Sequence, residues 1–300
     1  MPVTSTTINL IKGPEATGLD GLVAEDFEFV RNQRVGLLCN QAAVDRDGVH
    51  LIAHATRRGL QVGRILSPEH GLWSTHQDME AVAEARDPVY DLLVESLYGE
   101  NLASLDPAAE QLGDLEMLLV DLPDIGTRYY TYAATLARCM RVATQTGTRI
   151  VVLDRPNPID GVTVEGGLPH PSLISYVGEL PVPHRHGLTL GELACVVLRE
   201  TNIDCDLTIY PVSGWQREQY LDELSLPWIP PSPNMPTLET AIVYPGLCLL
   251  EGTNISEGRG TTTPFLLFGA PFVRPHELAK ALKEELPDGG FLVTPASFRP

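Results

Sequence analysis

The sequence predicts an α/β fold: a Rossmann-like, mostly parallel sheet with helices on both faces, followed by a smaller α+β C-terminal domain. Short apolar, β-branched runs alternate with helix-like segments over residues 1–225, which is typical of βαβ units. The pattern then changes, because residues 226–237 hold five prolines in twelve positions and cannot form regular structure. We therefore place a larger domain at 1–225 and a smaller one at 226–300.

The first half of the larger domain has three predicted strands. Residues 34–40 form the first, and a helix over 49–59 follows and ends at a glycine. The second strand covers 62–67. The third, at 115–123, is a continuous apolar run, as expected for a strand that is buried on both faces.

The second half repeats the pattern. A long amphipathic helix over 129–147 ends at a glycine, and a strand at 149–158 is ended by two prolines. The next helix, 188–200, begins with a capping box made by Thr189 and the glutamate three residues on. A last strand follows at 206–212.

Polar residues cluster where the predicted strands end. In an open parallel sheet the ligand site lies beyond the carboxyl ends of the strands. We therefore expect a cleft at this edge. The polar residues that follow these strands are Gln41, Glu69, His70, Asp124, Arg128 and Asn157.

Composition and motifs exclude several functions. A net charge of −18 disfavours nucleic acid and anionic membranes as partners. The sequence contains no GxGxxG, GxxxxGK[ST] or GxSxG pattern, so we expect no nucleotide cofactor and no serine nucleophile elbow. It shows neither a long apolar segment nor a signal peptide, which predicts no membrane span and a cytoplasmic location.

Glu69 is the candidate acid. It follows a buried strand and a proline, with Leu72 and Trp73 close in sequence. A carboxyl held against apolar walls has its charged form disfavoured, which suits a general acid. The alternative is that Glu69 caps a following helix, since acidic residues favour helix N-termini.

A zinc site is a rival interpretation. His184 and His186 are two residues apart and share a face if the segment is extended. With His70 and Asp124 they could bind zinc. The spacing is loose and HExxH is absent, so we predict no metal.

The remaining polar residues suggest sugar recognition. Arginine, asparagine, aromatic and acidic residues on loops are typical of it. The candidate substrate-binding residues are Arg128, Tyr130, Asn157, His186, Glu251, Asn254 and Arg259. Arg155 and Arg185 bring the arginines near the predicted cleft to four, which suggests a pocket for a substrate carboxylate. For each arginine the alternative is a structural ion pair.

Long motifs resemble one family. They include "VGLLCNQAAVDRDG", "SPEHGLW", "VDLPDIGTRYYTY", "VVLDRPNPIDG", "PVPHRHGLTLGELA" and "EGTNISEGRGTTTPF". Over residues 17–300 the chain resembles bacterial exo-β-N-acetylmuramidases, once catalogued as a domain of unknown function. The resemblance implies a Rossmann-like domain without nucleotide, a smaller C-terminal domain and an active site in the cleft between them.

The resemblance also implies a reaction. It is the release of terminal β-linked N-acetylmuramic acid from the non-reducing ends of peptidoglycan fragments, so the partner is a peptidoglycan saccharide or muropeptide. The family's catalytic glutamate lies in Gly-Pro-Glu-His-Gly and maps onto Glu69 as general acid, with His70 and Asp124 as candidates for orienting it or handling water. A zinc-dependent hydrolase and a non-catalytic muropeptide-binding protein remain the alternatives.

Three departures from the family pattern stand out. Ser67 replaces the first glycine of the motif, which suggests a change in specificity. The chain stops at "FLVTPASFRP", which has the pattern of a strand being entered, so the C-terminal domain is expected to be truncated. Many family members carry export signals and this sequence shows none.

Overall fold

The computed structural model describes residues 14–77, 80, 84–87, 89–99, 105–286 and 290–299. By its internal contacts the chain divides into two compact units, Met1–Pro233 and Asn234–Pro300. The division lies within the proline-rich segment 226–237, eight residues after the predicted boundary.

The larger unit contains a seven-stranded sheet with the order β3-β4-β2-β1-β5-β6-β7. Six neighbouring strands run parallel, and only β3, at one edge, is antiparallel to its neighbour β4. The strands are β1 (Arg34–Cys39), β2 (Gln61–Ser67), β3 (Ala85–Arg86), β4 (Leu93–Ser96), β5 (Met117–Asp121), β6 (Arg149–Leu153) and β7 (Leu207–Tyr210).

Helices cover both faces of the sheet. They are α1 (Gly18–Ala24), α2 (Leu51–Arg57), α3 (Ala109–Leu112), α4 (Thr131–Thr146) and α5 (Leu190–Glu200). Leu37 and Leu119 join one buried cluster with residues of α1 and α2. Since side chains alternate along a strand, their neighbours Leu38 and Leu118 face the other side, and there α4 and α5 pack against β6 and each other. The predicted α/β class is confirmed.

The order of the strands creates a crevice. From β1 the chain builds outward to β2 and β4, whereas β5, β6 and β7 build outward on the other side. Strands β1 and β5 are therefore neighbours at a topological switch point, where ligands bind at the carboxyl edge. The loops after β1, β2 and β5 all reach this edge.

The eight regular elements predicted for the larger unit are all present; seven are shorter than predicted, and β2 begins one residue earlier. The strand predicted at 149–158 ends at Leu153, because the prolines of "RPNP" cannot donate ladder hydrogen bonds. The capping box at Thr189 is present as predicted. Strands β3 and β4 and helices α1 and α3 were not predicted. Strands β3 and β4 and helix α3 have only two to four residues, which is too few for a periodic signal.

The second unit contains α6 (Leu238–Leu247) and α7 (Pro275–Glu285). Within its described residues, the predicted β structure reduces to one antiparallel bridge between Ser256 and Gly269. No strand forms over 291–299, where the sequence suggested that one begins, because no described strand lies beside it to pair with. None of the helices in the described part of the chain is long and apolar enough to cross a membrane.

Candidate active site

Glu69 lies in a tight turn directly after β2. Pro68 accepts a backbone hydrogen bond from Gly71 at 3.1 Å, which closes the turn. His70 and Gly71 both have left-handed backbones, with φ of 71° and 79°. A left-handed histidine is uncommon, and such conformations concentrate at functional sites. Residues 69–74 form turns rather than a helix, so Glu69 does not cap a helix here.

The carboxyl group of Glu69 is buried, with 6% of the residue exposed. The hydroxyl of Thr131, the first residue of α4, donates to Glu69 Oε2 at 2.7 Å. Sequence reasoning missed Thr131. The only signal for it was its place at the predicted start of a helix that follows the β5 edge.

Tyrosines surround this carboxyl. Burial raises the pKa of the Tyr176 phenol to about 12, and the negative charge of Glu69 acts in the same direction. Burial also raises the pKa of Tyr132, whose ring meets that of Tyr130 edge to face with centroids 4.9 Å apart. Tyr132 and Tyr176 therefore stay neutral at any working pH and serve as walls and hydrogen-bonding groups.

The ring of His70 holds the turn. Its Nδ1 lies 3.0 Å from the carbonyl oxygen of His76, and since a carbonyl can only accept, Nδ1 is the donor. His70 is adjacent to Glu69 but has one ring nitrogen committed to the loop. Its predicted part in the chemistry stays a prediction.

Three side chains bind the carbonyls of the proline-rich segment, and a fourth supports one of them. Asn40 and Tyr132 both donate to Pro231 O, at 3.0 Å and 2.7 Å, and Gln41 donates to Pro230 O at 2.6 Å. Ser74 in turn donates to Gln41 at 2.6 Å. Proline has no N–H and can offer only its carbonyl, so side-chain donors from the sheet edge hold this segment.

Behind Asn40 lies His50. Its Nε2 lies 2.8 Å from the carbonyl oxygen of Asn40, and its Nδ1 accepts from the backbone N–H of Ile52. Burial lowers the pKa of His50 to about 4, so the ring is neutral at physiological pH. It therefore fixes the backbone from which Asn40 projects.

Asp124 and His186 are brought together after β5. Asp124 Oδ2 accepts from the backbone N–H of Gly126 at 2.6 Å, and His186 Nδ1 accepts from Leu188 N at 3.1 Å. A neutral His186 then carries its proton on Nε2, which lies 3.3 Å from Asp124 Oδ2. That contact does not have hydrogen-bond geometry. Asp124 Oδ1 and His186 Nε2 are buried without a hydrogen-bond partner among the described residues.

Arg128 ties a loop. One guanidinium nitrogen donates to Gly167 O at 2.8 Å and to Val182 O at 2.6 Å, which joins the two ends of the segment 167–182. Burial lowers the pKa of Arg128, and in the described structure no carboxylate forms an ion pair with it. The segment that Arg128 closes carries Tyr176 toward Glu69.

The other three arginines are structural. Arg155 binds the buried carboxylate of Asp121 with two nitrogens, at 2.6 Å and 3.0 Å. Arg185 pairs with Asp160 at 2.8 Å, and Arg259 pairs with Glu251 at 2.6 Å. The expectation that four arginines form a carboxylate pocket is therefore corrected: within the described residues only Arg128 keeps no carboxylate partner.

Asn157 is also held by internal bonds. Its amide donates to Leu188 O at 3.0 Å and accepts from Ile159 N at 3.1 Å. Gly126, with φ of 81°, packs against this amide so closely that a Cβ there would lie 2.6 Å from the amide oxygen. Asn157 therefore shapes the loop that bears Asp124.

Glu251, Asn254 and Arg259 belong to the second unit. Besides its pair with Glu251, Arg259 contacts Glu257 at 3.2 Å, and its guanidinium lies 5.0 Å from the ring centre of Phe265. Asn254 lines a cavity of that unit. Their predicted role in substrate binding stays a prediction.

The described residues provide no set of ligands for the zinc site considered above. In the ranges that the structure describes, no group of three histidine, cysteine, aspartate or glutamate side chains is placed to hold a metal ion. His184 instead lies against Gly166, with its ring centre 6.0 Å from that of Tyr129. Burial, together with the charge of Arg128, lowers the pKa of His184.

A small pocket opens at the switch point. Its walls come from the loops after β1, β5 and β6 and from the proline-rich segment, including Trp228. Asp124 lines it, whereas Glu69 is not among its lining residues. The carboxyl edge thus offers a concave surface beside the predicted site residues.

Two family models match the chain. The model described as "Exo-beta-N-acetylmuramidase NamZ, N-terminal" matches residues 35–239, and the corresponding C-terminal model matches 242–300. The peptidoglycan β-N-acetylmuramidase NamZ of Bacillus subtilis (strain 168) is 40% identical over 288 residues, which is 95% of this chain and 68% of that protein.

Solved structures of related proteins also match the chain. Two crystal structures of DUF1343 family proteins from Bacteroides fragilis NCTC 9343 superpose with TM-scores of 0.81 and 0.72, at 33% and 32% identity. The first match covers 90% of this chain and 69% of the other, and the second covers 86% and 68%.

Proposed function

The chain belongs to the exo-β-N-acetylmuramidase family and is a glycoside hydrolase of that type, and we propose that Glu69 is its general acid. The proposed reaction releases terminal β-linked N-acetylmuramic acid from the non-reducing ends of peptidoglycan fragments. The similarity to the Bacillus subtilis protein, which is named as a peptidoglycan β-N-acetylmuramidase, supports this choice of substrate.

The observation that carries the role of Glu69 is its placement. A buried carboxyl stands at the carboxyl end of β2, in a turn with two left-handed residues, and takes a hydrogen bond from the start of α4. Such a group can give its proton to the oxygen of a leaving sugar. General acid catalysis of this kind contributes about 10²–10⁴-fold to the rate.

The water side of the reaction needs a second polar group. We assign it to Asp124 with His186, because both keep buried atoms without a hydrogen-bond partner in the described residues. The pair could polarise water or hold the 2-acetamido group of the substrate. If Asp124 attacks the anomeric carbon of the sugar, which gives retention, its carboxyl would stand about 5 Å from that of Glu69. If Asp124 instead activates a water molecule for the attack, which gives inversion, the separation would be about 6.5–9.5 Å.

Substrate recognition would use the positive charge of Arg128. N-acetylmuramic acid carries a lactyl carboxylate, and a guanidinium without a carboxylate of its own suits such a group. Tyr130 completes the proposed substrate-binding residues of the larger unit, with His186 shared between the two tasks.

The test uses Glu69→Gln with N-acetylmuramyl-N-acetylglucosamine as substrate. We expect kcat to fall by about 10²–10⁴-fold while the melting temperature stays close to that of the unaltered protein. Glu110→Gln, on the exposed side of α3, is the matched control and should keep full activity. Near-normal turnover by a folded Glu69→Gln protein would remove Glu69 from the chemistry. Binding of the disaccharide without any release of sugar by the unaltered protein would favour a non-catalytic binding protein.

A further inference from the structure

The hydrogen bond between Thr131 and Glu69 joins two elements that are far apart in sequence. The hydroxyl of Thr131 donates to one carboxyl oxygen, Oε2, at 2.7 Å. Glu69 stands on the turn after β2, whereas Thr131 is the first residue of α4. The bond therefore fixes the carboxyl relative to the sheet edge from the side of the helix.

The donor itself is rigidly placed. Helix α4 buries ten of its sixteen residues, so its first turn cannot shift without disturbing the core. Thr135, one turn on, donates to the backbone oxygen of Thr131 at 3.1 Å and lies 3.4 Å from the phenol of Tyr176. Threonine is also stiff at χ1, which restricts the directions in which its hydroxyl can point.

A donated hydrogen bond distinguishes the two oxygens of a carboxyl. The hydroxyl of Thr131 donates to Oε2 when Glu69 is ionised, and a hydroxyl can also accept from a protonated carboxyl, so the contact can persist in both protonation states. After the proton has left, the same hydroxyl stabilises the carboxylate, since hydrogen bonds to charged groups are the stronger ones. The contact thus serves both halves of a proton transfer.

We propose that Thr131 is a positioning residue that holds the carboxyl of Glu69, through Oε2, in the orientation needed for proton transfer. This proposal rests on the proposed role of Glu69 as general acid. Among the described residues, the phenols of Tyr132 and Tyr176 feel the charge of Glu69, and His70 is its neighbour along the chain. Both phenols remain neutral in the working range, so they add no charge beside the carboxyl.

The experiment compares Thr131→Val with Thr131→Ser on the same disaccharide. Valine keeps the shape and removes the donor, and we expect kcat to fall about 10- to 100-fold with KM changed less than about threefold. The alkaline limb of the pH profile should move to higher pH, because a donor that favours the charged carboxyl is gone. Serine restores the hydroxyl and should recover kcat to within about threefold.

Thr144→Val is the matched control, because Thr144 lies on the same helix and its hydroxyl bonds to Met140 O rather than to Glu69. It should keep kcat and the pH profile. An unchanged kcat in Thr131→Val, or equal losses in the valine and serine variants, would overturn the proposal. If Glu69→Gln is inactive and Thr131→Val is normal, only the positioning role fails; if Glu69→Gln stays active, the general acid role fails.

Discussion

Two polar regions lie at the carboxyl edge of the same sheet and use their side chains differently. The β6 region consists of Asp154, Arg155 and Asn157; the Glu69 region consists of Glu69, Thr131, Asp124 and His186. Asp154 accepts three hydrogen bonds, from Thr189, Gly191 and Arg155, at 2.7–3.0 Å.

In the β6 region the protein itself takes up the polar groups that the sequence suggested for ligand binding. In the Glu69 region, Asp124 Oδ1 and His186 Nε2 keep hydrogen-bonding capacity in the described structure. Both regions therefore have polar residues after a strand. Whether such a residue serves stability or catalysis depends on whether the protein itself supplies its hydrogen-bond partners. Substitutions in the first region should cost stability, and those at Glu69 should cost turnover.

The largest effect on stability is expected from Arg155→Ala. It leaves the carboxylate of Asp121, which is completely buried, without its charge partner. We expect the free energy of unfolding to fall by about 3–5 kcal/mol in chemical denaturation. Arg199→Ala, which removes an exposed ion pair with Glu200, is the control and should cost less than about 1 kcal/mol. Equal losses for the two variants would break the distinction.

A pH dependence follows from Asp154. Burial raises its pKa from 3.8 to about 6. The folded state then binds more protons than the unfolded state between about pH 4 and 6, so the stability from this group is present below about pH 4 and is lost as pH rises through about 6. Asp154→Asn cannot titrate. The free energy of unfolding of the unaltered protein, minus that of the variant, should fall by about 3 kcal/mol from pH 4 to 7.

Measuring this difference is necessary because His50 acts in the opposite sense. Its pKa is lowered to about 4, so the stability it contributes is lost as pH falls. In the unaltered protein the two slopes partly cancel, and the variant separates them. A pH-independent difference between the two proteins would contradict the buried, proton-binding state of Asp154.

Substitution of Arg128 tests how the segment 167–182, which carries Tyr176 toward Glu69, is held. Arg128→Met leaves the carbonyls of Gly167 and Val182 without their donor, and we expect a loss of about 1.5–3 kcal/mol in the free energy of unfolding. Limited proteolysis within 167–182 should become faster. Arg128→Lys keeps a charged donor and should be intermediate. The same cleavage rate in all three proteins would show that Arg128 does not hold the loop.

The smallest effect is expected at Ser67. The residue is completely buried, and its hydroxyl has no hydrogen-bond partner among the described residues. Ser67→Ala removes an unsatisfied polar group and should raise the free energy of unfolding by about 1 kcal/mol. Ser96 lies beside Ser67 on the neighbouring strand β4. Its hydroxyl donates to Tyr98 O at 3.1 Å and accepts from Tyr98 N at 3.0 Å, so Ser96→Ala should lower stability instead. A loss in both variants would show that Ser67 is satisfied.

The expected effect of Ser67 on specificity stays a prediction. The sequence indicated the mostly parallel sheet, five of its strands and the edge at which polar residues gather, because these follow from periodicity and from strand ends. The sequence did not indicate which side chains would meet. Thr131 and Glu69 are separated by 62 positions, and only the packing of α4 against the sheet brings them together.

The same limit explains the arginines. Arg155 follows β6 and Arg128 follows β5, and the sequence made both of them equal candidates for binding a substrate carboxylate. One meets the carboxylate of Asp121 and the other meets two backbone carbonyls, whose positions depend on the path of a loop. Residue type predicts the chemistry that a side chain can perform, and the tertiary contacts decide whether it is used for folding.

The central claim is that Glu69 gives a proton to the leaving group, and the dependence on the leaving group tests it directly. The measurement is kcat/KM of Glu69→Gln relative to the unaltered protein, on N-acetylmuramyl-N-acetylglucosamine and on a nitrophenyl N-acetylmuramic acid glycoside. A sugar needs a proton to leave, whereas nitrophenolate leaves without one. We predict a loss of about 10²–10⁴-fold on the disaccharide and a much smaller loss on the nitrophenyl glycoside. Equal losses on both substrates, or normal turnover of the disaccharide, would contradict the account.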